Sequence, residues 1–277
     1  MEKKRSKIIK YVFLLLGLII MTIPMIYMIS SSLKPNLEVF SYPPKLLPEN
    51  PTFENFTYVL KNSNFFNYLG NTIFVSLMTV LISSILASTL GYSFARLKIP
   101  GKRILFSFVI AIMLIPGLAA IIPQFELAAH FKVVNKLWGV ILFYAAWVTP
   151  FSTFLIKGYI EDNIPKELDE AIYMDGGSVF TVYRHVIIPI SAPSIASIGI
   201  LNFLFPFEEL GWSQTILKTD ELRTIPVAIT MFFQSHNRTD WGYVFAMTVL
   251  AMIPVILVYL LLQRYFISGL SSGAVKG

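Results

Sequence analysis

The sequence predicts an all-α membrane protein with six transmembrane helices, and three observations carry that prediction. The chain has 277 residues, 55% hydrophobic and only 14% charged, where soluble domains carry about 25% charged residues. Six apolar stretches, at about 11–33, 69–95, 104–125, 138–156, 185–206 and 243–263, contain no Asp, Glu, Lys or Arg. Each approaches the roughly 20 residues that a helix needs to cross a bilayer. With the N-terminus placed inside, fourteen of the 22 Lys and Arg residues fall on inner segments, the bias expected when both termini are cytoplasmic. The net charge of +6 is therefore read as an orientation signal and not as a nucleic-acid footprint.

The first stretch follows Lys3, Lys4, Arg5, Lys7 and Lys10. It is longer than a typical signal-peptide core and shows no small-x-small cleavage site, so it is read as a retained span. Residues 34–67 form a long outer loop with Pro35, Pro43, Pro44, Pro48 and Pro51. The second stretch carries Thr72, Ser76, Thr79 and Ser83 at spacings of four, three and four, which puts them on one helix face. Ala87 and Gly91 extend the stripe. Two readings stand: a close helix–helix seam of small residues, or one wall of a polar path.

Pro116 and Pro123 fall in the third stretch, Pro150 in the fourth, Pro193 and Pro206 in the fifth and Pro254 in the sixth. Each removes a backbone N–H and can bend a helix. Asn202 lies in the middle of the fifth stretch. A buried amide needs partners, so it bonds a neighbouring helix or faces a cavity. Trp138, Trp212 and Trp241 lie near span ends, where interfacial anchors collect.

Several chemistries are excluded. There are no cysteines, which removes disulfides, thiol catalysis and Cys-ligated metals. His130, His185 and His236 lie far apart, without metal-ligand spacing. No G-x-x-x-x-G-K-[ST] phosphate loop occurs, so energy for active transport would come from another subunit. Spans without ionisable groups argue against ion-coupled carriage and against an intramembrane hydrolase. The chain is expected to have no catalytic residue, no metal and no cofactor of its own.

The inner loop 157–184 is the most informative segment. Pro165 suits a helix start, and Glu167, Asp169 and Glu170 suit its N-terminal dipole. Leu168 and Ile172 share a face. Gly176 and Gly177 supply a left-handed stop, and Ser178 can cap a second short helix carrying Val179, Val182 and Val186. The pair is either a solvated interfacial element or a structure presented to a soluble partner.

Glu170-Ala171-Ile172, then Asp175-Gly176, then Ile187-Ile188-Pro189 resembles the "EAA" loop of bacterial ABC importer permeases. Ile172 stands in place of the third-position Ala, and Ile188 in place of Leu. The resemblance extends over nearly the whole chain: Asn67-Tyr68-Leu69-Gly70-Asn71-Thr72, Arg96 to Gly101, Ile115-Pro116 through Gly139, and Glu221-Leu222-Arg223-Thr224-Ile225-Pro226-Val227. The tail from Gln263 to Gly277 is similar to that of the smaller permease subunit of the maltose-type importer. Phe207-Glu208-Glu209-Leu210-Gly211-Trp212 departs from the Trp-Asn-Asp/Glu pattern usual in that branch.

The resemblance implies a type I ABC importer permease fold in a bacterial cell membrane. Residues 1–66 would form an N-terminal span and outer loop, 67–266 the permease core with its coupling loop at about 157–184, and 267–277 a cytoplasmic tail. It implies a second related permease chain, two ATP-binding subunits carrying ATP and Mg, an extracytoplasmic solute-binding protein and a carbohydrate substrate. Glu170, Ala171, Ile172, Asp175, Gly176 and Gly177 would contact the ATPase subunit. Glu208, Glu209, Trp212, Glu221 and Arg223 would face the binding protein, while Asn202 and the Thr72–Ser83 stripe are candidates for the path. The alternatives are a permease for a non-sugar solute, an ion-coupled carrier and a non-transporting membrane scaffold.

Overall fold

The computed structural model describes residues 2–36, 38–233 and 240–274, with side chains for all of these except 2–6, 8, 9 and 266–274. His236, Arg238 and the end of the tail, Val275 to Gly277, lie outside the described residues. Among the described residues there is no strand.

Along the chain, α1 (Glu2–Ser32) precedes a loop holding the short α2 (Glu54–Asn62). The long α3 (Phe65–Arg96) follows, then α4 (Lys102–Ala111), α5 (Ile121–His130) and α6 (Leu137–Asn163). Two short helices, α7 (Glu167–Met174) and α8 (Val179–Val182), lead through a π turn (Tyr183–Ile187) into α9 (Ile188–Glu208). The chain ends with α10 (Gly211–Ile216), α11 (Ile225–Thr230) and α12 (Trp241–Ala274).

Five stretches are long and apolar enough to cross a membrane unbroken: Lys10–Ser32, Phe65–Arg96, Leu137–Asn163, Val179–Glu208 and Trp241–Tyr265. The third expected span differs. It is two pieces, Lys102–Leu114 and Gly117–His130, that meet at 97°, and it is the sixth span only as a broken one. Proline chemistry explains the break. Pro116 offers no N–H, and the residue before a proline is pushed out of the helical region; Ile115 is extended, with φ −83° and ψ 116°. Pro123 causes no second break, because it falls in the first turn of α5, where a missing N–H costs nothing.

The helices group into two compact units, Met1–Phe66 with Ala228–Ile253 and Asn67–Val227 with Pro254–Gly277. In the first, α1 leaves apolar side chains from Tyr11 to Ile29 exposed, as a helix against lipid does. Its end is tied down by Asn55, whose Nδ2 donates to the carbonyls of Ser32 and Lys34 at 2.9 and 2.8 Å. The long loop is thus partly ordered by capping.

In the second unit, α3, α6 and α9 share one apolar cluster, and α3 passes close to α6 at Gly91. A Cβ there would lie 2.8 Å from Cγ2 of Ile156 and 3.2 Å from the Lys157 nitrogen. Two apolar clusters fill the unit. One joins Ala87, Tyr92, Ile156, Ile160, Val182 and Ile187. The other joins Val75, Val140, Ile141, Tyr144, Trp212 and Ile216. The first lies directly beneath α7 and α8.

Candidate functional site

The connection between α6 and α9 is built to be held on one side and open on the other. α7 starts at Glu167, with Lys166 as its N-cap, so Pro165 precedes the first turn. Its C-terminus is a Schellman motif: Gly177 N–H donates to the Ile172 carbonyl at 2.8 Å and Gly176 N–H to the Tyr173 carbonyl at 3.1 Å. Gly176 has φ +78°, a left-handed conformation that side chains bearing a Cβ resist. A Cβ on Gly177 would lie 2.9 Å from the Ile172 carbonyl oxygen. Ser178 then caps α8 through a reciprocal box with Thr181, at 3.3 and 3.1 Å.

The held side faces α3. Asp169 is buried, and its Oδ2 lies 3.1 Å from Arg96 Nε at the last turn of α3. The same guanidinium donates to the Ile164 carbonyl. Burial pushes the Asp169 carboxyl above its ordinary range, and the Arg96 charge works against that push. Tyr92 donates to the Val179 carbonyl at 3.3 Å, and the Tyr183 hydroxyl meets Ser88 Oγ at 2.8 Å. Ile172 packs on the cluster beneath. Leu168 does not anchor the element, being 41% exposed; the seated face runs through Asp169 and Ile172, three residues apart.

The open side carries Glu170, Ala171, Asp175 and Gly176, all exposed. A Cβ on Gly176 would meet nothing within 4 Å. Met174 at 88% and Phe180 at 65% exposure stand beside them. The connection into α9 stays helical. At the π turn the Ile188 N–H bonds the Tyr183 carbonyl five residues back, and Val179–Glu208 runs on as one unbroken span.

The remaining candidates divide. Thr72, Ser76, Thr79 and Ser83 are fully buried and Asn202 is nearly so. Asn202 Nδ2 donates to Ser83 Oγ at 2.9 Å and Ser152 Oγ at 3.1 Å. Thr72 Oγ1 donates to the Tyr68 carbonyl and accepts the Ile225 N–H, both at 2.8 Å. Ser83 and Asn202 thus join α3, α6 and α9, while the buried hydroxyls of Ser76 and Thr79 have no hydrogen-bond partner among the described residues.

Around α10, Trp212 is wholly buried and donates from Nε1 to the Gly139 carbonyl at 3.2 Å. It is neither an interfacial anchor nor a docking face: the turn at Glu209 folds the indole back under the aromatic cluster. Glu209 is also occupied, accepting the Trp212 N–H at 2.8 Å, the Ser213 N–H at 3.3 Å and the Tyr144 hydroxyl. Glu208 and Glu221 are exposed. Arg223 pairs with Asp220 at 3.1 Å.

Two features escape sequence reading. Arg96 and Asp169 lie far apart in sequence, and Asp169 looks like any acidic residue at a helix start. The second feature is the attachment of segment 220–225 to the start of α3. There Asn71 Nδ2 donates to the carbonyls of Glu221 and Arg223 at 2.8 and 2.9 Å, Asn67 Nδ2 to Glu221 at 2.6 Å, and the Tyr68 hydroxyl to Asp220 at 3.0 Å.

This architecture is found in known proteins. A bacterial ABC transporter involved in the import of the acidic polysaccharide alginate has a chain that superimposes with a TM-score of 0.80 at 23% identity, covering 96% of this chain and 98% of that one. The putative ABC transporter permease protein ORF2 of a Caldicellulosiruptor species is 31% identical over 99% of this chain and 98% of its own length. The trehalose/maltose transport system permease protein MalG of Thermococcus litoralis is 30% identical over 99% of each chain. The melibiose/raffinose/stachyose import permease protein MelC of Bacillus subtilis is 30% identical over 100% of each. Residues 87–272 match the family described as the binding-protein-dependent transport system inner membrane component. The chain therefore belongs to that family, and is a multi-pass permease component of an ABC transport system.

Proposed function

We propose that this permease carries a carbohydrate inward as half of an ATP-driven import channel, and that the α6–α9 connection receives the force. One observation supports the coupling role above others: α7 is held to α3 by the buried Arg96–Asp169 pair and the start of α8 by the Tyr92 hydroxyl, while Glu170, Asp175 and Gly176 remain exposed. A part that is rigid behind and open in front can pass a push from a docked ATPase subunit into a membrane helix. ATP and Mg belong on that subunit, and two copies would serve this chain and a related second permease.

Both termini and the α6–α9 connection are assigned to the cytoplasm by the distribution of lysine and arginine. The segment 208–223 then lies outside, where exposed Glu208 and Glu221 face a solute-binding protein. The carbohydrate reading is drawn from relatives whose names specify trehalose, maltose, melibiose or raffinose and from spans without charge, which suit a neutral polyol.

The test is the assembled transporter in lipid, made with its neighbouring permease, ATPase and binding-protein subunits. ATP hydrolysis is measured with binding protein presented with a panel of saccharides. Stimulation confined to one saccharide class is the expected result. A stable assembly that ignores every saccharide moves the solute to another class, and failure to retain any ATPase subunit removes the docking role of Glu170 to Gly177.

A further inference from the structure

We propose that the cavity beside the break at Pro116 is a subsite for a neutral saccharide ring, with Gln124 bonding a hydroxyl and Trp147 stacking on a ring face. The proposal rests on the carbohydrate reading above. The cavity holds about 370 Å³, within the range of roughly 300–1,000 Å³ usual for small-molecule sites. The cavity is open, and its lining joins apolar Ile112, Met113 and Ile115 and aromatic Trp147 and Phe151 with the small Gly117 and Ala120. Non-helical backbone at membrane depth is tolerated where it lines a cavity, and broken helices commonly frame solute sites.

Three features select the ligand. No residue lining the cavity is charged, so an ionic solute would enter without a counter-charge. Among the described lining residues Gln124 is the only amide, and its Oε1 is buried without a hydrogen-bond partner. The last torsion of glutamine is soft, so a small rotation turns the amide towards a ligand hydroxyl. The Trp147 ring is preset by its neighbours, with ring centroids 5.8 Å from Tyr144, 6.2 Å from Phe205 and 6.1 Å from Trp212. A pyranose matches this lining, because its C–H face stacks on an aromatic face while its rim of hydroxyls needs an acceptor.

The experiment uses uptake by the complete assembly in proteoliposomes, with the transported saccharide and its monodeoxy analogues. Gln124→Leu is expected to lower uptake kcat/KM for the parent saccharide by about tenfold, the value of one hydrogen bond. It should cost nothing further for the analogue lacking the hydroxyl that Gln124 receives, because effects on one contact do not add. The chain has no cysteine, so Ala120→Cys places a single thiol in the cavity lining. Transported saccharide should slow its alkylation during turnover, and a saccharide that is not taken up should not. Equal losses across parent and analogues, with alkylation indifferent to saccharide, overturn the subsite while leaving carbohydrate transport intact. A wild-type assembly that takes up no saccharide overturns the carbohydrate reading, and the subsite falls with it.

Discussion

The two ends of α3 grip their loops by different chemistry. At its C-terminal end, a buried ion pair between Arg96 and Asp169 holds α7. At its N-terminal end, Asn67, Tyr68, Asn71 and Thr72 hold segment 220–225 through side-chain hydrogen bonds without a buried ion pair to α3. A buried ion pair fails abruptly, because removing one partner strands a charge at a cost of about 3–5 kcal/mol. A set of separate hydrogen bonds, each worth about 0.5–1.5 kcal/mol, loosens by degrees. The C-terminal joint is therefore the one that fails abruptly and the N-terminal joint the one that yields by degrees, a contrast that would fit the coupling role proposed for α7 and α8 and the docking role proposed for segment 208–223.

Arg96→Met is the sharpest way to break this contrast. It should destabilise the chain, by up to about 3–5 kcal/mol where Asp169 stays ionised, release α7, and abolish retention of the ATPase subunit. The double variant Arg96→Met with Asp169→Leu should recover most of the thermal stability, because no lone charge remains. If the double variant also regains uptake, packing alone suffices at this joint. If it folds but hydrolyses ATP without uptake, the ion pair is what transmits the push. A single variant with unchanged unfolding temperature would show that the pair holds nothing.

Gly176→Val acts on the open side of the same joint. The left-handed backbone makes a side chain there cost about 1–2 kcal/mol, and the added atoms point into space that a partner must occupy. Uptake should be lost while the fold persists. Gly176→Asn, which tolerates that backbone better, should restore stability more than uptake. Equal recovery of both would mean that the glycine serves the turn and not a docked subunit.

The end that yields by degrees predicts a smaller effect. Asn71→Ala removes two bonds and should cost about 1–3 kcal/mol, with the ATPase subunit still bound. Its mark should be a weaker response to binding protein, measured as a higher concentration needed for half-maximal ATPase stimulation. An unchanged response would separate segment 220–225 from binding-protein docking.

The sequence reveals what repeats or punctuates and hides what closes at a distance. Five spans, the glycine stop at Gly176 and the Ser178 cap were legible, because apolar length and turn chemistry are local. The 97° break was legible only as a proline at position 116; whether a proline kinks or severs a helix depends on what receives the freed backbone. Ile172 was legible as an anchor of α7, but Leu168 four residues before it was not one: the seated face runs through Ile172 and the buried Asp169, which the apolar spacing alone did not show. Trp212 matched the position of an interfacial anchor, yet the turn at Glu209 buries it. The Thr72–Ser83 stripe was legible as one face, but not what covers it.

The smallest effect tests which force wins at the C-terminal joint. Burial and the Arg96 charge push the Asp169 carboxyl in opposite directions, and burial prevails, so the folded chain holds that proton more tightly than the unfolded one. Stability contributed by the protonated group is then fully present at acid pH. It declines as pH rises through the window between the ordinary carboxylate value and the raised one. The unfolding temperature of the wild-type assembly, compared with Asp169→Asn, should fall relative to the variant as pH rises above the ordinary carboxylate value. Arg96→Met should carry that fall to higher pH, because nothing then opposes burial. A rise in place of a fall would mean that the ion pair outweighs desolvation, and that the joint is held by attraction and not merely rescued by it.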